Sequence, residues 1–173
     1  MQFHNGFSMQ NEEHFFQEFL DESALCIAGF SYGTIKAFQE TIKKTKQGKR
    51  VDKLQLFSPV FFQEEDEKFK KLQLMGYRRS PKSYLQEFRK LCFAPYETLD
   101  IEEAPTTIEA LKELLFFQWS LEDMQKLSMA GISIEVYLGG CDNIINTHKA
   151  RTFFKEVATV IYIKDANHML QIK

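Results

Sequence analysis

Three side chains that together can move an acyl group are spread along this chain in the order Ser31, Asp142, His168. A hydroxyl is a weak nucleophile until a base takes its proton. The imidazole that does so needs an acid to orient it and to stabilise its charged form. Ser31 lies in Gly29-Phe30-Ser31-Tyr32-Gly33, between the apolar run "ALCIAGF" (24–30) and a helical pattern over 32–45. Asp142 follows "ISIEVYLGG" (132–140), and His168 follows "TVIYIKD" (159–165). If each apolar run is a strand, all three residues stand at strand ends on one rim of a sheet.

The spacing G-x-S-x-G has a physical reason. A serine on a sharp turn between strand and helix needs neighbours small enough for the two elements to approach closely. The helix start behind it offers N–H groups and partial positive charge to an oxyanion. One donor is expected from the backbone N–H of Tyr32. The second is expected from the loop "FHNGFS", through the backbone N–H of Phe7, with Gly6 permitting close approach. Bland readings stand beside these. Ser31 alone is also what a turn or helix-cap serine looks like, and Asp165, three residues before His168, is a rival acid. Cys141 lacks the surroundings of a thiol nucleophile, and His4, His14 and His148 read as structural or exposed.

The elements that must position these residues alternate. "MQFH" reads as a short strand, and residues 10–20 as a helix with Phe15, Phe16, Phe19 and Leu20 on one face and Asn11 as its cap. Strand (24–30), helix (32–45) and strand (52–60) follow, the last stopped at Pro59. Residues 61–130 show helical periods instead. Ser80-Pro81 opens one helix carrying Tyr84, Leu85, Phe88, Leu91 and Cys92 on a face. Thr106 with Glu109 opens another carrying Ile108, Leu111, Leu114 and Leu115. Ser120 and Asp123 open a third. Strand (132–140), helix (147–157) and strand (159–165) close the chain. The fold class is therefore α/β: a mostly parallel sheet of about five strands formed by residues 1–60 and 131–173, with 61–130 inserted as a helical cap.

Composition sets limits. The 173 residues suffice for one domain with a real core. At 44% hydrophobic and 27% charged, the chain is ordinary for a globular protein. A net charge of −2 gives no global pull toward nucleic acid or membrane. Cys26, Cys92 and Cys141 are scattered and form no metal or disulfide pattern, so no metal and no cofactor are expected. With no signal-length apolar start and no span of 18 apolar residues, the expected location is the cytoplasm, as a monomer.

The order Ser, Asp, His and the stretches "HNGFS", "GFSYG", "GGCDNIIN" and "NHML" resemble the fingerprints of α/β-hydrolases along residues 1 to about 170. More narrowly the chain is similar to the short pimeloyl-[acyl carrier protein] methyl ester esterases of the BioV type. That resemblance implies a serine carboxylesterase of biotin synthesis in which Ser31 attacks the methyl ester, His168 takes its proton and Asp142 holds His168. It implies an acyl carrier protein as partner. The first two strands of the usual hydrolase plan are missing, which leaves the first strand here near an edge. In the cap, Leu85, Phe88, Leu114, Phe117 and Trp119 are candidates to wall an acyl pocket. Between Lys68 and Lys90 basic residues outnumber the single acid Glu87, and Arg78, Arg79, Lys82, Arg89 and Lys90 are the candidates for carrier binding. Competing readings are a thioesterase or general short-chain esterase, and a hydrolase fold reduced to a binding module.

Overall fold

The computed structural model describes residues 1–173. In chain order the strands are β1 (Gln2–His4), β2 (Met9–Gln10), β3 (Cys26–Phe30), β4 (Lys53–Phe57), β5 (Glu102–Glu103), β6 (Ser133–Gly139) and β7 (Thr159–Ile163). The helices are α1 (Gly33–Lys46), α2 (Glu67–Arg79), α3 (Pro81–Phe93), α4 (Ile108–Phe116), α5 (Leu121–Met129) and α6 (Thr147–Phe154).

Five strands form one parallel sheet in the order β1-β3-β4-β6-β7. Both faces of this sheet are covered, so its central strands read as continuous apolar runs rather than alternating ones. The alternation survives in where each residue points. Ile27, Leu54, Leu56, Val136 and Leu138 pack with Ile35, Phe38 and Phe154 of α1 and α6. Ala28, Phe30, Phe57 and Tyr137 pack on the other face with Phe16, Phe93 and Met169. The register pairs Phe30 with Phe57 and Phe57 with Tyr137, so the residues just beyond β3, β4 and β6 share one rim.

Helix starts follow local chemistry. Side chains of Asp66, Ser80, Thr107, Ser120 and Asn146 accept the backbone N–H three residues on, and Pro81 occupies the first turn of α3. The cap of α4 is thus Thr107, one residue after the expected Thr106. Between β4 and β6, α2 packs against α3 and α4, whereas α5 lies beside α1 and leads into β6.

Two further expectations are corrected. Residues 10–20 do not form a helix; only Glu12–Phe16 coil, as a 3-10 turn, and Asn11 takes a left-handed φ of 60° with no capping hydrogen bond from its side chain. Tertiary packing wins there: the Phe16 ring sits 4.9 Å from both Phe30 and Phe57. The helical block is also not strand-free, because Glu102–Glu103 pairs antiparallel with Met9–Gln10. No helix is long and apolar enough to cross a membrane.

Candidate active site

Ser31 sits at the turn from β3 into α1 with φ 49°, a left-handed conformation costly for a residue bearing a Cβ. The turn is held on both sides: the Ser31 N–H donates to Phe57 O at 2.9 Å, and the Thr34 N–H donates to Ser31 O at 3.0 Å. The two glycines are required by close approach. A Cβ on Gly33 would lie 2.0 Å from His4 O, and one on Gly29 would lie 2.4 Å from Gly33 O.

The rim then brings three side chains together. His168 Nε2 is 3.0 Å from Ser31 Oγ, and His168 Nδ1 is 2.6 Å from Asp142 Oδ2. Asp142 Oδ1 accepts the N–H groups of Ile144 and Ile145 at 2.7 and 3.1 Å. With carboxylate on one nitrogen, the imidazole is assigned as Nδ1–H, which leaves the Nε2 lone pair facing the serine hydroxyl. The rival acid takes no such part: Asp165 contributes a backbone carbonyl to Tyr96 Oη–H. Cys141 Sγ meets only Lys164 O, at 3.8 Å. No group of three or more His, Cys, Asp or Glu side chains is arranged to hold a metal ion.

The segment carrying His168 is pinned by residues that the sequence reading did not single out. Ser58 Oγ donates to His168 O at 2.6 Å, and Asn167 Nδ2 donates to Phe93 O at 2.7 Å. Both donors are fully buried. The only trace of them in the sequence is a polar residue beside an apolar run.

The backbone N–H groups of Phe7 and Tyr32 donate to no acceptor within the protein. Phe7 is 1% exposed. Buried N–H groups are nearly always paired, so the unpaired one at Phe7 is available to a ligand oxygen. The Phe7 ring packs edge-on against Tyr32 and Phe88, at 6.2 and 5.6 Å. Ser31 is 1% exposed and His168 is 0% exposed, with the Phe30 ring 5.2 Å from the imidazole.

An apolar cavity of about 210 Å3 lies between α2, α3, α4 and the loop after Asp142. Phe62, Phe69, Phe88, Leu111, Leu114 and Ile144 are among the residues that line it. Of the expected wall residues, Phe88 and Leu114 line it, while Leu85, Phe117 and Trp119 do not. Trp119 instead packs on Phe38 and Phe154 in the core and donates its Nε1–H to Val60 O at 2.7 Å.

Tyr32 also ties the turn to the inserted helices. Its hydroxyl donates to Glu113 Oε2 of α4 at 2.5 Å, and Lys36 Nζ reaches the same oxygen at 2.6 Å. Burial alone raises the Glu113 carboxyl, yet hydrogen bonds from Lys36 and Tyr32 bring it below the ordinary carboxylate value. A lowered carboxyl contributes stability above its unfolded value, and that contribution is lost as pH falls through the folded one. Glu113→Gln is therefore expected to lower Tm by about 1 to 3 °C at neutral pH, with the gap to the unaltered chain closing toward pH 3. Thermal melts at several pH values check this.

No family model matches the sequence, and no curated protein matches it. Solved structures do match in shape. A hydrolase from Oleispira antarctica is similar at a TM-score of 0.72 and 11% identity, over 99% of this chain and 84% of that one. BioG from Haemophilus influenzae is similar at 0.61 and 10%, over 98% and 88%. The esterase EaEST from Exiguobacterium antarcticum is similar at 0.62 and 14%, over 82% and 58%. A naproxen esterase from Bacillus subtilis is matched over 85% of this chain, which spans only 54% of the length of that one.

Proposed function

We propose that this chain, which has the α/β-hydrolase fold, is a serine carboxylesterase that removes the methyl ester of pimeloyl-[acyl carrier protein]. The hydrogen-bonded series Ser31–His168–Asp142 carries this reading. His168 Nε2 takes the hydroxyl proton as Ser31 Oγ attacks the ester carbonyl. The unpaired N–H groups of Phe7 and Tyr32 receive the oxyanion. As the intermediate collapses, His168 returns the proton to the departing oxygen and methanol leaves. Water, activated by the same imidazole, attacks the acyl-serine and releases the free carboxylate, while the far end stays thioesterified to the carrier. The 210 Å3 cavity offers apolar walls to the methylene chain.

Carrier recognition rests on the inserted helices, acting with the core as one monomer in the cytoplasm. Arg89 is taken up by Glu103 and by Leu85 O, and Lys90 Nζ lies 3.9 Å from Glu87. Arg78, Arg79 and Lys82 form no ion pair and are exposed at the junction of α2 and α3, where they suit an acidic partner. Reversing these three charges is expected to raise KM for the carrier-bound ester by about 10-fold or more, most strongly at low salt. KM for a small soluble ester stays unchanged; an equal rise on both substrates would mean damage to the fold instead.

The deciding experiment is product analysis with carrier-bound pimeloyl methyl ester. Methanol release with the thioester intact supports the reading. Release of the acyl chain from the carrier replaces it with a thioesterase. Rescue of a biotin-requiring strain lacking its own esterase tests the same reading in cells.

A further inference from the structure

The loop bearing the Phe7 N–H is gripped from behind by one carboxyl group. Glu12 is 0% exposed, and its Oε1 accepts the N–H of Gly6, the residue before Phe7. Its Oε2 has no partner in the protein. On the other side of the same turn, the Met9 N–H donates to Gly6 O at 3.4 Å, a long bond. The peptide unit joining Gly6 to Phe7 is thus set by one long backbone bond and by the grip of Glu12 on Gly6. The strand beneath adds little: β1 has three residues, and it pairs on one side with β3 alone.

A buried carboxyl is costly to keep for packing, since an aliphatic side chain fills the same space without desolvating charge. Burial pushes the Glu12 carboxyl up in pKa, against the lowering effect of the Gly6 N–H. Its direct bond within the protein goes to the loop that supplies half of the oxyanion site.

We propose that Glu12 is a positioning residue for the oxyanion site, fixing Gly6 so that the Phe7 N–H stands where negative charge develops. This rests on the reading of Ser31 as the nucleophile. Glu12 touches no reacting atom. Its effect is confined to the transition state, because a ground-state carbonyl makes weaker use of that N–H.

The test compares Glu12→Ala, Glu12→Gln and Glu12→Leu in the full chain, with active sites counted by labelling Ser31 to completion with a fluorophosphonate. Glu12→Ala is expected to lower kcat per labelled site by about 10- to 100-fold with KM changed less than about 2-fold. The affinity for a trifluoromethyl ketone, whose hemiketal oxyanion fills the same site, falls in proportion. Glu12→Gln, whose amide oxygen can accept the Gly6 N–H, keeps kcat within about 3-fold. Glu12→Leu fills the volume and so serves if the alanine variant does not fold; it behaves as the alanine variant should. Wild-type kcat per site in the alanine or leucine variant overturns the proposal. So does a loss of kcat with ketone affinity unchanged. Failure of the unaltered chain to label at Ser31 defeats the serine reading itself, and this proposal with it.

Discussion

Replacing Ser31 with alanine is expected to lower kcat/KM for the ester by about 10⁴- to 10⁶-fold. Triad members act as a unit, so loss of the nucleophile removes nearly all the catalysis that the imidazole and carboxylate supply. Folding is expected to be nearly untouched. The Ser31 hydroxyl has one hydrogen-bond partner, His168, and the backbone bonds that hold the turn run through the Ser31 N–H and C=O. A Tm within about 3 °C of the unaltered chain, read by circular dichroism beside ester turnover, separates lost chemistry from lost structure. Unchanged activity would refute the esterase and favour a hydrolase fold reduced to a binding module.

Asp142→Asn is expected to cost about 10⁴-fold in kcat through the tautomer of His168. The carboxylate now accepts His168 Nδ1–H through Oδ2 and the N–H groups of Ile144 and Ile145 through Oδ1. An asparagine keeps its carbonyl oxygen on the two backbone donors and turns its NH2 toward Nδ1. The imidazole must then present a lone pair at Nδ1 and a proton at Nε2, so the nitrogen facing Ser31 can no longer take its proton. The matched control is Asp165→Asn, whose side chain makes no hydrogen bond or ion pair and which should retain activity near that of the unaltered chain. Single-turnover kinetics on both variants checks the pair. Activity above about a tenth in Asp142→Asn would remove Asp142 from the relay.

The meeting of Ser31, Asp142 and His168 was legible because each lies just past a strongly apolar run, and a parallel sheet turns such positions into neighbours on one rim. The five strands of the main sheet and α1 were legible too, most of the strands as apolar runs bounded by turn residues and α1 by its helical period. What stayed hidden is what short or non-local contacts decide. Residues 10–20 carry a helical pattern, yet the stacking of Phe16 on Phe30 and Phe57 and the grip of Glu12 on Gly6 leave a single 3-10 turn. Two-residue strands such as Met9–Gln10 and Glu102–Glu103 have no period to read. Trp119 passes for a pocket residue until its ring is found in the core. Ser58 and Asn167 act through bonds to backbone atoms far along the chain, which no local pattern announces. Arg89 is apparently free in the sequence, and its acid, Glu103, lies on a strand the periodicity does not show.

A serine left 1% exposed makes admission a separate event from reaction. On the proposed esterase reading, the atoms that bury Oγ must shift before a carbonyl can reach it, so turnover cannot outrun that motion.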